Sequence, residues 1–185
     1  MDTAQQKVLI PFLREVMRMN EKLKNVLDMA EAFERTGVSF YTEYSSKVKP
    51  KLVKETFKWL ADMEREHVEF IKALKRSLPE GREVSFSIED KSKTFMEKLT
   101  AQKLVPESLD GDLADVSVLR MALLIEKDFE SFYLRNAEQA EDDEAKRILN
   151  TLALWEKGHV QIISELITSL LDRLRIDTGF YPVDF

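Results

Sequence analysis

The sequence predicts an all-α protein, a bundle of four long helices arranged as two antiparallel hairpins. Apolar residues recur at three- and four-residue steps through four long segments, the pattern of amphipathic helices. Only 5 glycines and 5 prolines occur among 185 residues, which leaves little material for turns. Short connections join the segments in pairs, and helices joined this way pack antiparallel. We expect residues 1–185 to form one domain with a core at about 20–175.

The first predicted hairpin spans about 20–78. Its first helix runs from about Asn20, a candidate cap, to Ser46. Pro50 closes a short connection and is expected in the first turn of the next helix. That second helix runs toward Leu78, where Pro79-Glu80-Gly81 stops it.

The second predicted hairpin pairs a helix over 113–139 with one from Asp143 to about Arg175. Between the hairpins, residues of about 79–112 are too many for a tight turn, so a long crossover is expected, with a short helix opening near Ser87. Two segments flank the core: an amphipathic N-terminal helical segment over 3–19 and an irregular C-terminal tail over about 176–185.

Composition and charge exclude several classes of function. A net charge of −6 argues against nucleic acid as a partner. No apolar run approaches the ~20 residues that span a bilayer, and Pro11, Arg14 and Glu15 interrupt the N-terminal stretch, so we expect a cytoplasmic protein without a signal peptide or a membrane partner. The absence of cysteine excludes disulfides, thiolate metal sites, iron–sulfur clusters and a built-in rubredoxin-type centre.

An internal repeat carries the chemistry of the chain. The motif Glu-x-x-His occurs twice, 92 residues apart, and its two copies contain both histidines of the protein. A core does not require acids at matched positions, so the repeat indicates a functional site. The same offset relates these pairs: Glu64 and Glu156, His67 and His159, Glu34 and Glu126, Tyr41 and Tyr133.

The spacing of these residues suits metal ligands. Positions i and i+3 of a helix share a face, so each motif presents a carboxylate and an imidazole together. Four buried carboxylates repel one another unless cations balance them, and two divalent ions cancel their charge. Mixed oxygen and nitrogen ligands suit iron or manganese and are compatible with zinc. If the repeat forms a pseudo-two-fold axis, these ligands surround two metals: Glu34, Glu64, His67, Glu126, Glu156 and His159.

The arrangement Glu, Glu-x-x-His, Glu, Glu-x-x-His on four helices resembles the ferritin-like di-iron carboxylate proteins. The local patterns Glu34-x-x-Gly-x-x-Phe40-Tyr41 and Glu126-x-x-Phe-x-x-Phe132-Tyr133 are most similar to the rubrerythrin branch, over roughly residues 20–175. The resemblance implies two iron ions bridged by Glu64 and Glu156. It also implies terminal carboxylates at Glu34 and Glu126, one imidazole per iron from His67 and His159, and hydrogen bonds from Tyr41 and Tyr133 to the carboxylates.

Two departures from the family pattern affect the expected chemistry. Many rubrerythrins carry an extra glutamate three residues after the third-helix ligand, where this chain has Phe129. The chain also lacks the cysteine-rich rubredoxin domain, so electrons must come from an external donor. Trp59 and Trp155 are predicted as core or interface residues without a chemical role.

Two classes of function follow from these observations. The first is a di-iron oxidoreductase that reacts with hydrogen peroxide or dioxygen, as a peroxidase or a ferroxidase, with substrate oxygenation as a third outcome. The second is a non-catalytic helical interaction protein whose site binds zinc or is vestigial. Redox-active iron separates the two classes. We also expect a homodimer, because amphipathic residues around Phe12 and Leu13 extend beyond the four-helix core.

Overall fold

A computed structural model describes the backbone of residues 3–77, 95 and 113–178, and the side chains of 21–77, 95 and 114–172. Within these ranges the protein is helical and has no strand, which confirms the all-α prediction. Helix α1 packs along α2 and α3 packs along α4, forming two hairpins. The long helices are α1 (Thr3–Lys47), α2 (Lys51–Ser77), α3 (Leu113–Gln139) and α4 (Asp143–Thr178).

The predicted boundary at Asn20 is wrong, because α1 is continuous from Thr3 to Lys47. Asn20 is therefore an interior residue and not a cap, and the expected N-terminal segment is the first part of α1. The reason is local: residues 18–24 are mostly strong helix formers and include neither glycine nor proline, so one asparagine does not end the helix.

Short turns fix the ends of the helices in both hairpins. The amide of Lys54 donates to the carbonyl of Pro50 over 3.0 Å, so Pro50 is the N-cap of α2 and not a first-turn residue as predicted. Asp142 caps α4, because its Oδ1 accepts a hydrogen bond of 2.8 Å from the amide of Ala145. The amide of Lys49 donates to Asp115 Oδ1 over 3.3 Å, a hydrogen bond that connects the turn between α1 and α2 to the start of α3.

Other predicted helix boundaries lie within three residues of the observed ones. Helix α3 has its predicted limits, α2 ends one residue before Leu78, and α4 extends three residues past Arg175. The predicted crossover helix near Ser87 and the tail after 178 lie outside the described residues. Phe95 is helical, and its ring stacks on that of Trp59 with centroids 4.1 Å apart.

The core consists of two clusters of buried side chains, one toward each end of the bundle. One cluster includes Phe70 of α2 and Leu152 of α4, and the other includes Leu60 of α2 and Ile163 of α4. The buried acids and histidines of the repeat lie between these clusters along the helices. The two clusters therefore enclose a polar centre. In the described part of the chain, no helix is long and apolar enough to cross a membrane.

Candidate metal centre

The fold brings the six predicted ligands together in the centre of the bundle. The four glutamates are 0% exposed, and the two histidines are 3% and 1% exposed. Because the residues at i and i+3 share a helix face, α2 and α4 each contribute a Glu–His pair, and α1 and α3 each contribute one Glu. The six residues are Glu34 of α1, Glu64 and His67 of α2, Glu126 of α3, and Glu156 and His159 of α4.

The six side chains form two overlapping groups of possible ligands. In each group, one donor atom per residue lies within 4.8 Å of the others. Glu64 and Glu156 belong to both groups. Glu34 and His67 complete the first group, and Glu126 and His159 complete the second. The geometry therefore provides two neighbouring positions for a cation that share two carboxylates.

Both imidazoles present the same ring nitrogen to the carboxylates. His67 Nδ1 lies 3.2 Å from Glu34 Oε2 and 3.3 Å from Glu156 Oε1. His159 Nδ1 lies 3.3 Å from Glu126 Oε2 and 3.1 Å from Glu64 Oε1. The two rings stack on each other with centroids 5.3 Å apart and an interplanar angle of 12°. The Nδ1 atoms are thus the histidine donors directed at the centre.

Two buried tyrosines connect the hairpins at this centre. The hydroxyl of Tyr41 in α1 donates to Oε1 of Glu126 in α3. Conversely, Tyr133 in α3 donates to Oε1 of Glu34 in α1. Each tyrosine therefore binds the glutamate of the opposite hairpin, and each of these glutamates keeps its Oε2 beside a histidine.

Burial and crowding of like charges change the protonation of the metal-free centre. Burial raises the pKa of Glu34 well above its ordinary value, and the charges of Glu156 and Glu64 add to the effect. Burial likewise raises the pKa of Glu126, helped by Glu64. Burial alone would lower the pKa of His67, but the neighbouring carboxylates raise it well above its ordinary value. Without metal, protons therefore favour Glu34, Glu126 and the two imidazoles, whereas the histidines hold the pKa values of Glu64 and Glu156 below the ordinary value despite burial.

The two shared glutamates are the strongest indication that the centre takes cations. Both carboxylate oxygens of Glu64 and of Glu156 are buried and make no hydrogen bond within the described residues. Histidine nitrogens approach them to between 3.1 and 3.4 Å, a distance that suits an ion pair, but without the directions of a hydrogen bond. Buried carboxylates without hydrogen-bond partners are costly, so these four oxygens suit metal ions as partners.

Aromatic side chains that the sequence did not assign to the site contact its histidines. Trp155 is 5% exposed and belongs to the predicted core, and its ring stacks on that of His67 at 4.9 Å and 19°. The rings of Trp59 and His159 form a T-shaped contact, with centroids 5.9 Å apart and an interplanar angle of 80°. Trp155 precedes Glu156 directly, a signal that it lies near the site. Its contact with the ring of His67 depends on how the two hairpins pack, which cannot be predicted from the sequence pattern.

These features define a ferritin-like four-helix bundle with a di-metal carboxylate–histidine site. The family model described as Rubrerythrin matches residues 25–167, and the chain belongs to that family. A solved structure of a hypothetical protein from Pyrococcus furiosus is similar, with 27% identity and a TM-score of 0.58 over 81% of this chain and 90% of that one. The comparison with curated proteins found no match.

We expect replacement of either buried tyrosine by phenylalanine to weaken metal binding. Tyr41→Phe and Tyr133→Phe each remove a hydroxyl that orients one glutamate, and such outer contacts contribute roughly ten- to hundred-fold to metal affinity. Titration of the metal-free variants with Co²⁺ under anaerobic conditions measures the change. Tyr44→Phe is the control, since Tyr44 lies in α1 outside both ligand groups. Equal affinities for all three variants would contradict an orienting role.

Proposed function

We propose that this protein is a di-iron oxidoreductase that reacts with hydrogen peroxide or dioxygen. The observation that carries the proposal is the pair of buried ligand groups that share Glu64 and Glu156. Membership of the rubrerythrin family supports iron as the metal. The ligand chemistry also supports it, because carboxylates with imidazoles and no thiolate suit iron. When bound, a pair of ferrous ions supplies the electrons that reduce the oxidant.

The residues divide into shared and separate ligands in this proposal. Glu64 and Glu156 belong to both ligand groups and would hold both ions. Their four oxygens make no hydrogen bonds within the described residues that would compete with a metal ion. The remaining ligands hold one ion each: Glu34 and His67 at the first position, Glu126 and His159 at the second.

Two buried tyrosine hydroxyls orient carboxylates of the centre in this proposal. The hydroxyls of Tyr41 and Tyr133 hold protons at the carboxylates of Glu126 and Glu34, and burial raises the pKa of both tyrosines well above their ordinary value. Their protons therefore stay in place at neutral pH and position the two carboxylates toward the ions.

Anaerobic loading followed by separate mixing with each oxidant tests the proposal. Protein loaded with Fe²⁺ is mixed in a stopped-flow instrument with hydrogen peroxide or with dissolved oxygen, and near-ultraviolet absorption of ferric iron is recorded. We expect rapid oxidation by at least one oxidant, and the faster one distinguishes a peroxidase from a ferroxidase. Glu64→Ala is the control for oxidation of free iron. Iron that oxidises no faster in the wild-type protein than in this control would overturn the proposal and favour a zinc-binding or non-catalytic helical interaction protein.

The electron donor and the assembly are further parts of the proposal. We expect an external electron donor, since the sequence contains no cysteine for an internal iron–sulfur relay. A homodimer stays a prediction, because Phe12 and Leu13 lie outside the residues whose side chains the structure describes.

We expect metal binding to release protons and to strengthen as the pH rises. In the metal-free centre, burial keeps the pKa values of Glu34 and Glu126 high, and the carboxylates keep those of His67 and His159 high. All four groups bind a metal only after they lose a proton, so protons oppose binding at low pH. Calorimetric titration with Co²⁺ in two buffers of different ionisation enthalpy counts the released protons. Binding that is independent of buffer and pH would contradict this protonation pattern.

A further inference from the structure

Gly37 lies in the middle of α1, one turn after Glu34, and faces the shared ligand Glu64. It is buried, and a Cβ atom at this position would lie 3.1 Å from Glu64 Cγ, 3.2 Å from Cδ and 3.6 Å from Oε1. Favourable contacts between carbon atoms begin at about 3.5 Å. The carboxyl group of Glu64 therefore occupies space that every other residue type at position 37 would partly fill.

Movement of Glu64 would change its place in the centre. It is 0% exposed, and its Oε1 and Oε2 lie 3.1 Å from His159 Nδ1 and 3.4 Å from His67 Nδ1. A shift of a few tenths of an ångström would change its distances to both metal positions, because Glu64 belongs to both ligand groups. The close approach of the α1 backbone thus limits where this carboxylate lies.

The repeat shows that this glycine is specific to one half of the centre. The offset of 92 residues relates Glu64 to Glu156 and Gly37 to Phe129. Phe129 is a buried core residue, and its ring stacks on that of Phe33 at 5.2 Å and 2°. The two shared glutamates are therefore not equivalent, since only Glu64 has a glycine at the matching position of the neighbouring helix.

Glycine in a helix interior also requires an explanation of its own. It is a weaker helix former than alanine, and position 37 belongs to a regular helix and not to a turn. The distances to Glu64 supply the explanation, because the missing side chain makes room for a ligand.

We propose that Gly37 is a positioning residue for the metal centre, which acts by allowing Glu64 to lie between the two metal positions. This inference rests on the proposed metal centre. It means that the two shared glutamates, Glu64 and Glu156, have different residues at the matching positions of their neighbouring helices.

Titration of Gly37→Ala with Co²⁺ tests the proposal. Metal-free protein is titrated anaerobically, and the visible absorption of Co²⁺ reports affinity, stoichiometry and coordination geometry. We expect roughly ten- to hundred-fold weaker binding and an altered visible spectrum. The matched control is Ser39→Ala, an exposed position of the same helix, and it is expected to bind like the wild type. Wild-type affinity together with a wild-type spectrum in Gly37→Ala would overturn the proposal.

A second measurement separates contact with Glu64 from a general effect on the helix. The substitution Gly37→Ala is made both in the wild-type protein and in the Glu64→Ala variant, which lacks the Glu64 atoms that would crowd the new Cβ. The Tm of each metal-free protein is recorded with glycine and with alanine at position 37. We expect alanine to raise Tm more in the Glu64→Ala background. Equal shifts in the two backgrounds would overturn the proposal. A wild-type protein that binds no Co²⁺ is a different result, because it would overturn the metal centre itself.

Discussion

Replacement of Glu64 by alanine is expected to abolish metal binding at both positions, whereas replacement of His67 is expected to spare one. Glu64 belongs to both ligand groups, but His67 belongs only to the first. The His67→Ala protein keeps Glu64, Glu126, Glu156 and His159, which form the complete second group. Equilibrium dialysis against Fe²⁺ without oxygen, followed by elemental analysis, gives the number of ions per chain.

A glutamate on the same helix provides the control for this experiment. Glu69 is exposed and pairs with Lys72 at the surface of α2, so Glu69→Ala is expected to bind as much iron as the wild type. Equal iron contents for Glu64→Ala and His67→Ala would show that Glu64 is not shared between two positions. The overlapping-group geometry would then be wrong as a description of the loaded protein.

Metal binding is also expected to raise the thermal stability strongly. The metal-free centre buries four carboxylates, and ions that bind only the folded chain shift the unfolding equilibrium. With free metal at about 100 times the dissociation constant, each position contributes about 2.7 kcal/mol of stability. Two positions in a chain of this size correspond to a rise of roughly 10 to 20 °C in Tm. Circular dichroism melting with and without Co²⁺ measures the rise.

The double variant Glu64→Ala/Glu156→Ala separates binding at the centre from binding elsewhere. It lacks both shared ligands, so its Tm is expected to stay nearly constant when Co²⁺ is added. A metal-induced rise of equal size in both proteins would place the stabilising ions outside this centre.

The sequence predicted most of the architecture because helix periodicity and turn residues are local signals. Helix α3 has its predicted limits, and both hairpins form where short connections join long apolar patterns. The predicted helix start at Asn20 is wrong because asparagine, although a common cap, is also tolerated inside a helix whose neighbouring residues are strong helix formers. Local signals therefore identified the helices, but they misplaced the start of α1 and shifted other helix ends by one to three residues.

The sequence also identified the six residues that meet in the centre, since the repeat marked them by a constant offset. The repeat did not show how the two hairpins pack against each other. The crossed pairs of Tyr41 with Glu126 and Tyr133 with Glu34 depend on how one hairpin faces the other. Periodicity shows which face of a helix is buried, but not which side chains of another hairpin meet it. The contact of Gly37 with Glu64 was hidden for the same reason.

Anomalous X-ray diffraction at the iron edge, from crystals loaded with Fe²⁺ under anaerobic conditions, tests the central claim most directly. We expect two strong peaks per chain, roughly 3.5–4 Å apart as in other two-metal sites. Glu64 and Glu156 are expected to lie between the peaks, with His67 at one and His159 at the other. A single peak, or iron bound only outside these six residues, would contradict the assignment of a shared di-iron centre.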